Sequence, residues 1–241
     1  LHDGYRTEGV LIPDGPRLTA CISSQVGCPL QCRFCRTGTM GLLRHLSAGE
    51  IADQILRLQT LAAPLRVTNL VFMGMGEPLL NQDNLYRALA VILSPHGLAY
   101  SWRRVTVSTA GVAPAILALG RAFKLNLAVS LNATTDEVRD RIMPINRRYP
   151  IKELMAACRA FPLPKRSRIT IEYVLLRGLN DLPEDAHRLL RLLRGLPTKV
   201  NLIPYNPFPG SQLRPPDETT TLRFQAPLLQ GHQQAIIRSS R

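Results

Sequence analysis

The chain has 241 residues, 45% of them hydrophobic, which excludes a disordered polymer and fits one large α/β domain or two small ones. No run of roughly 18 apolar residues occurs, and the opening LHDGYRTEGV lacks a basic-then-apolar leader, so a cytoplasmic protein with no membrane partner is expected. Lys and Arg number 30 against 17 Asp and Glu, a formal charge of +13 that suits a polyanion, nucleic acid first, with a merely solvated Arg-rich surface as the alternative.

The chain begins at Leu1 rather than Met and is expected to be a piece of a longer protein. An apolar run at 17–23, RLTACIS, reads as the first strand, and a cysteine-bearing loop follows it. SAGEIADQILRLQTL (47–61) reads as a helix. Ser47 and Glu50 form a capping-box pair, and Ile51, Ile55 and Leu58 fall on one face. Strand 68–74 leads through GMGEP into helix 84–93, and strand 103–109 into helix 112–123. Strand 125–132 precedes helices 135–143 and 151–161, and strand 168–176 precedes helix 181–195. Strand 199–205 ends at the Pro-rich NPFPGSQLRPPDETTT, after which a helix and a short strand, AIIRS (235–239), complete the pattern.

Near-continuous apolar strands alternating with helices predict an α/β fold, a partial (β/α)6-type TIM barrel. A doubly wound open sheet is the alternative. Residues 1–210 are expected to form the barrel core with an N-terminal extension, and residues 211–241 a C-terminal segment.

Four of the five cysteines lie within CISSQVGCPLQCRFC, residues 21–35. A disulfide framework would spread its cysteines through a small chain, so it is the weakest reading. Cys28, Cys32 and Cys35 have the spacing C-x3-C-x2-C. A structural zinc site closes with four protein ligands, and only Cys21, inside the first strand, is near enough to serve as a fourth. A four-iron cluster held by three thiolates keeps one iron open to a substrate, so an open [4Fe–4S] cluster is favoured. The loop follows the first strand, at the end where barrels place their active sites. In GMGEP, Gly74 and Gly76 would let backbone approach a ligand, and Glu77 could accept hydrogen bonds from an ammonium group.

C-x3-C-x2-C with an aromatic residue, Phe34, before the third Cys resembles the motif of the radical S-adenosylmethionine superfamily. GMGEP resembles that superfamily's GGEP, which lies along the methionine moiety of S-adenosylmethionine. Together with RRVTVSTAGV, AVSLNAT, IMPINRRYPI, RITIEYVLL and NLIPYNPFPG, these stretches resemble the RlmN/Cfr family of adenine methyltransferases from residue 8 to about 210. Within it they look more like RlmN, which acts on rRNA and tRNA, than like the resistance enzyme Cfr.

The resemblance implies that Cys28, Cys32 and Cys35 hold a [4Fe–4S] cluster. It places S-adenosylmethionine against Gly76, Glu77, Ser108, Ser130, Leu131, Asn132 and Asn206. It implies methylation of C2 of an adenosine in 23S rRNA and in tRNA. A methyl group first moves to a carrier cysteine, a 5′-deoxyadenosyl radical abstracts a hydrogen from it, and the methylene adds to C2. Cys21 then attacks the carrier sulfur to release the product as a disulfide forms. Glu8 aligns with a glutamate that accepts the C2 proton. The carrier cysteine is expected just beyond Arg241, and an accessory domain before residue 1. An electron donor such as flavodoxin or ferredoxin is a further implied partner, and the protein is expected to be a monomer. Arg103, Arg104, Arg147, Arg148, Lys165 and Arg166 are candidate RNA contacts, and Cys158, at an apolar position of its helix, reads as a structural thiol. The rival readings are a radical enzyme that modifies a protein or small molecule, and a zinc-dependent RNA-binding module.

Overall fold

A computed structural model describes residues 1–238; residues 239–241, which include the end of the expected strand 235–239, lie outside the described residues. The chain forms two compact units. The first comprises Leu1–Gln31, Thr37–Thr109 and Ala118–Leu127; the second comprises Cys32–Arg36, Ala110–Leu117 and the chain from Ala128 onward.

In the first unit, β1 (Val10–Asp14) and β2 (Arg17–Cys21) pair as an antiparallel hairpin, with Val10 opposite Cys21. A second hairpin joins β3 (Gln25–Gly27) to β4 (Leu42–His45). Helix α1 (Ala48–Ala62) follows with the expected capping box: the Ser47 hydroxyl accepts from the Glu50 amide, and the Glu50 carboxylate accepts from the Ser47 amide. Ile51, Ile55 and Leu58 are buried, as their helical spacing requires. β5 (Asn69–Phe72) pairs in parallel with β2, helix α2 (Gln82–Leu93) packs against α1, and β6 (Val105–Thr109) pairs in parallel with β5. Helix α3 (Ala113–Ala122) and β7 (Asn126–Ser130) each divide between the two units.

The second unit continues with α4 (Asp136–Ile142), α5 (Ile151–Ala160), β8 (Ile169–Leu175), α6 (Pro183–Leu193), β9 (Thr198–Pro204), α7 (Glu218–Gln230) and β10 (Ala235–Ile237). β8 pairs in parallel with both β7 and β9, and β9 with β10. Ile169, Ile171, Tyr173 and Leu175 are fully buried on one face of β8, and Tyr173 packs on Phe224 of α7 with ring centroids 5.2 Å apart. Glu172 and Val174, on the other face, are half-buried.

The six strands expected from the apolar runs are β2 and β5 through β9. Within each unit the parallel strands lie in sequence order with helical crossovers, as in a barrel; a doubly wound sheet would reverse order at a switch point. The two hairpins were not expected. β1 is mostly exposed and carries Pro13, and β3 is three residues long, so neither shows the buried alternation that marks a strand. Among the described residues no helix is long and apolar enough to cross a membrane.

Candidate active site

Cys21 ends β2, half-buried. Burial pushes its thiol up to about 11, the nearby Glu8 carboxylate adds to this, and a backbone hydrogen bond at Met73 opposes it. Glu8 is exposed just before β1, and its carbonyl accepts from the Ser23 hydroxyl at 2.7 Å. The same hydroxyl accepts from the Met75 amide at 2.8 Å. The first unit thus sets Glu8, Cys21 and the loop after β5 side by side.

Cys28 is buried where β3 ends, and its amide donates to the carbonyl of Gly41 at 2.8 Å. This return of the chain depends on Gly27. It has φ +79°, and a Cβ there would lie 1.9 Å from the Gly41 oxygen.

The GMGEP loop is fixed by residues that the sequence reading passed over. The Gln25 side chain accepts from the Glu77 amide at 2.8 Å through Oε1, and its amide nitrogen meets Nδ1 of His45 at 3.0 Å. Buried Asn81 donates to the carbonyls of Ser24 and Leu46 at 2.8 and 2.7 Å. Glu77 is buried, and its carboxylate accepts from the Leu79 amide at 3.1 Å, capping the short 3-10 helix Pro78–Leu80. Gly76 has φ +100°, and a Cβ there would stand 2.6 Å from Cβ of Gln25. One at Gly74 would stand 2.7 Å from Oγ of Ser23. The crowding comes from the Gln25 side chain at Gly76, and from the Ser23 side chain and the Ile22 backbone at Gly74. Ser108, half-buried on β6, sits between buried Val107 and Thr109.

In the second unit, Cys32 is buried and Cys35 half-buried, in a turn closed by the Cys35 amide on the Cys32 carbonyl at 3.1 Å. The Arg33 amide donates to the carbonyl of Ile142, which ties this turn to the end of α4. Ser130 ends β7 and is half-buried. Leu131 and Asn132 are buried, and Asn132 has φ +56°. The Asn132 amide oxygen is already used: it accepts from the Val174 amide at 2.8 Å, and its backbone carbonyl accepts from Asn180 at 2.7 Å. Asn206 is exposed, two residues past β9.

The residue that organises this corner is Arg139, which no motif singled out. It is fully buried, and burial lowers its ionisation to about 10. Its guanidinium donates to the carbonyls of Leu131, Ser130 and Ala110 and to Oδ1 of Asn146. An Arg in DEVRDRI looks like an ordinary solvated helix residue. Only its spacing of three from Ile142, which puts both on the buried face of α4, could have signalled otherwise.

None of the five cysteines is in a disulfide. Cys158 is fully buried on α5 and its thiol is pushed up to about 12 by burial, as a structural thiol requires. Among the described residues no three His, Cys, Asp or Glu side chains are grouped to hold an ion, so a cluster-ligand assignment rests on the cysteine spacing and the donor chemistry. The six candidate RNA contacts are all exposed. Arg103 and Lys124 each stand 4.5 Å from the Trp102 ring centroid, and Arg104 donates to Asn69 at 3.1 Å.

Residues 22–193 match the family model of the radical SAM superfamily. The chain is 54% identical to the dual-specificity RNA methyltransferase RlmN of Syntrophobacter fumaroxidans, over the whole chain and 71% of that protein. It is 56% identical to RlmN of Geobacter sulfurreducens, over the whole chain and 66% of that protein. A radical SAM methyltransferase from Sphaerobacter thermophilus superposes with TM-score 0.95 at 44% identity, covering 99% of this chain and 71% of its own. The fold is that of a radical SAM enzyme, an α/β partial barrel. Within that class the chain belongs to the RlmN family of RNA methyltransferases, whose cofactors are a [4Fe–4S] cluster and S-adenosylmethionine. The donor set fits the cluster: three thiols outside any disulfide follow one another within eight residues, and two of them are buried.

Proposed function

We propose that this chain is the barrel portion of an enzyme that methylates C2 of an adenosine in 23S rRNA and tRNA. The observation that carries this is its identity of 54% and 56%, along its entire length, to two dual-specificity RNA methyltransferases. The C-x3-C-x2-C loop and the paired Cys21 and Glu8 support it.

Cys28, Cys32 and Cys35 would hold the cluster, and Gly76, Glu77, Ser108, Ser130, Leu131, Asn132 and Asn206 would hold S-adenosylmethionine. When bound, these groups supply one-electron hydrogen abstraction at an unactivated C–H bond. The residues of the chain do the positioning. Gln25 fixes the Glu77 backbone, and Arg139 fixes the carbonyls at the end of β7. The Asn132 side chain is held by its neighbours, its oxygen accepting from Val174 and its nitrogen donating to Met143 Sδ at 3.2 Å, so it shapes the end of β7 for the ligand. With its ionisation near 11, Cys21 is a neutral thiol at pH 7 and must lose a proton before it can act as a nucleophile. Glu8 is the carboxylate whose charge Cys21 senses, and we assign it proton acceptance.

RNA enters this reading through the charge of +13 and through a cleft of ≈ 580 Å³ whose lining includes Lys152, Arg159, Arg188 and Arg191. We also assign residues 1–210 to the catalytic core and 211–241 to a C-terminal segment. A flavodoxin- or ferredoxin-like electron donor, a monomeric state and a cytoplasmic location complete the proposal. The test is anaerobic reconstitution of the full-length protein with iron and sulfide, then S-adenosylmethionine, reductant and RNA. A brown protein that yields 2-methyladenosine by mass spectrometry is expected. A colourless zinc-loaded protein, or a cluster-loaded one that cleaves S-adenosylmethionine without methylating RNA, would overturn it.

A further inference from the structure

The parallel register of β7, β8 and β9 places Ser130, Glu172 and Asn201 in one row across three strands. Side chains alternate along a strand, and Ile171 and Tyr173 are fully buried on the helix-covered face, so Glu172 faces the other way. Val200 and Leu202 bracket Asn201 in the same fashion. All three residues of the row are half-buried.

Asn201 Nδ2 donates to Glu172 Oε1 at 2.9 Å. An ionised carboxylate only accepts, so the amide must turn its nitrogen toward it, and this fixes where the amide oxygen points. That oxygen, Asn201 Oδ1, is buried without a hydrogen-bond partner. Burial raises the ionisation of Glu172, while Asn201, Lys199 and Arg238 oppose the rise. Two cations already bear on the carboxylate. What the pair lacks is a donor to the Asn201 oxygen.

We propose that Glu172 and Asn201 are an acceptor pair that receives the donor groups of a nucleoside, ribose hydroxyls or an exocyclic amine, bound beside Ser130. The inference rests on the proposed function, in which Ser130 contacts S-adenosylmethionine. Two nucleosides offer this chemistry: the adenosine of S-adenosylmethionine and the target adenosine of the RNA. Both residues lie in stretches that resemble the family, RITIEYVLL and NLIPYNPFPG, but neither is among the contacts that the resemblance implies; the local signal is a carboxylate and an amide within two mostly apolar strands.

The test uses the full-length, cluster-loaded protein and Asn201→Leu, which keeps the side-chain size and removes the acceptor. Glu172→Gln is the second variant. The readouts are the S-adenosylmethionine dissociation constant, the affinity for a hairpin RNA with one loop adenosine, the affinity for the same hairpin with purine riboside there, and the urea midpoint. Asn201→Leu is expected to weaken one of the first two about tenfold with an unchanged or higher midpoint, because an unmatched buried carbonyl is removed. A loss confined to S-adenosylmethionine assigns the pair to the cofactor. A loss confined to the adenosine hairpin, absent for purine riboside, assigns it to the target base. If Asn201→Leu does not fold, Glu172→Gln carries the same comparison. Both affinities within twofold of wild type would overturn the pair's role, whatever the midpoint. Wild-type protein that binds neither S-adenosylmethionine nor RNA would overturn the functional reading, and the pair with it.

Discussion

Arg139 Nε donates to the carbonyl of Leu131 at 2.9 Å, from a side chain wholly withdrawn from solvent. The same guanidinium reaches Ser130 at 3.1 Å and Ala110 at 2.6 Å, so one buried cation holds the backbone that closes β7 and the backbone that opens α3. Removing it strands three carbonyls and Asn146, each costing roughly 1–3 kcal/mol if left unmatched. Arg139→Leu is expected to lower unfolding stability by at least about 3 kcal/mol in urea titrations. Arg139→Lys should recover only part, since an ammonium cannot reproduce the planar fork.

A methyl group at residue 27 has nowhere to go. Gly27→Ala combines a left-handed φ of +79° with a Cβ 1.9 Å from the Gly41 oxygen, so the loop that presents Cys28 must open. The expected result is a loss above about 2 kcal/mol and a lower iron content after reconstitution. Gly15→Ala is the comparison, because at φ +56° it has backbone strain but open space. Its iron content should match wild type.

Most of the barrel was legible because strands covered by helices are apolar along their length, and β2 and β5 through β9 are such strands. The capping box at Ser47 was legible because its signal is local. The supports of the site were not. Gln25, Arg139, Glu172 and Asn201 act through partners 52, 29 or 29 positions away, or through strand register, and no local spacing records such distances. The cysteine spacing marks the cluster loop, but it carries no sign of the glycine that lets the loop turn back.

Acid should loosen the first unit at Glu50. Hydrogen bonds from Arg44 Nη1 and Nη2, both 2.8 Å, hold its carboxyl down to about 2 from an ordinary value of 4.5. A depressed folded value contributes stability above the unfolded one, lost as pH falls from about 4.5 toward 2. Glu50→Gln should flatten the denaturation midpoint against pH across that window and leave the curve near pH 7 parallel to wild type.

Alkali should act through Cys21 in the opposite sense. Its thiol ionises near 11 when folded against 9.0 ordinarily, so the unfolded chain loses its proton first and stability falls between these values. Iodoacetamide labelling mapped by mass spectrometry should show Cys21 reacting more slowly at pH 8 than a thiol in a short peptide. Its rate should still climb beyond pH 10, where the peptide has levelled off. Glu8→Gln removes a charge that opposes the thiolate and should speed labelling at pH 8.

The cleft beside α5 and α6 should be felt in salt dependence. Arg159→Glu with Arg191→Glu is expected to weaken RNA binding at low salt at least tenfold. The slope of log affinity against log salt should fall by about 1 to 2, as when one or two phosphate contacts are lost. Arg87→Glu with Arg121→Glu, exposed and distant in sequence from the cleft, is the charge-matched control and should change the slope less.

Gln25 touches the Glu77 amide with one end of its side chain and His45 with the other, two residues before the chain reaches Gly27. A single amide group therefore links the loop after β5 to the hairpin that ends in Cys28. The two loops cannot relax independently. Filling either should slow deuterium uptake at the amides of both, and with Gln25→Ala that shared memory should vanish while each loop still responds to its own ligand.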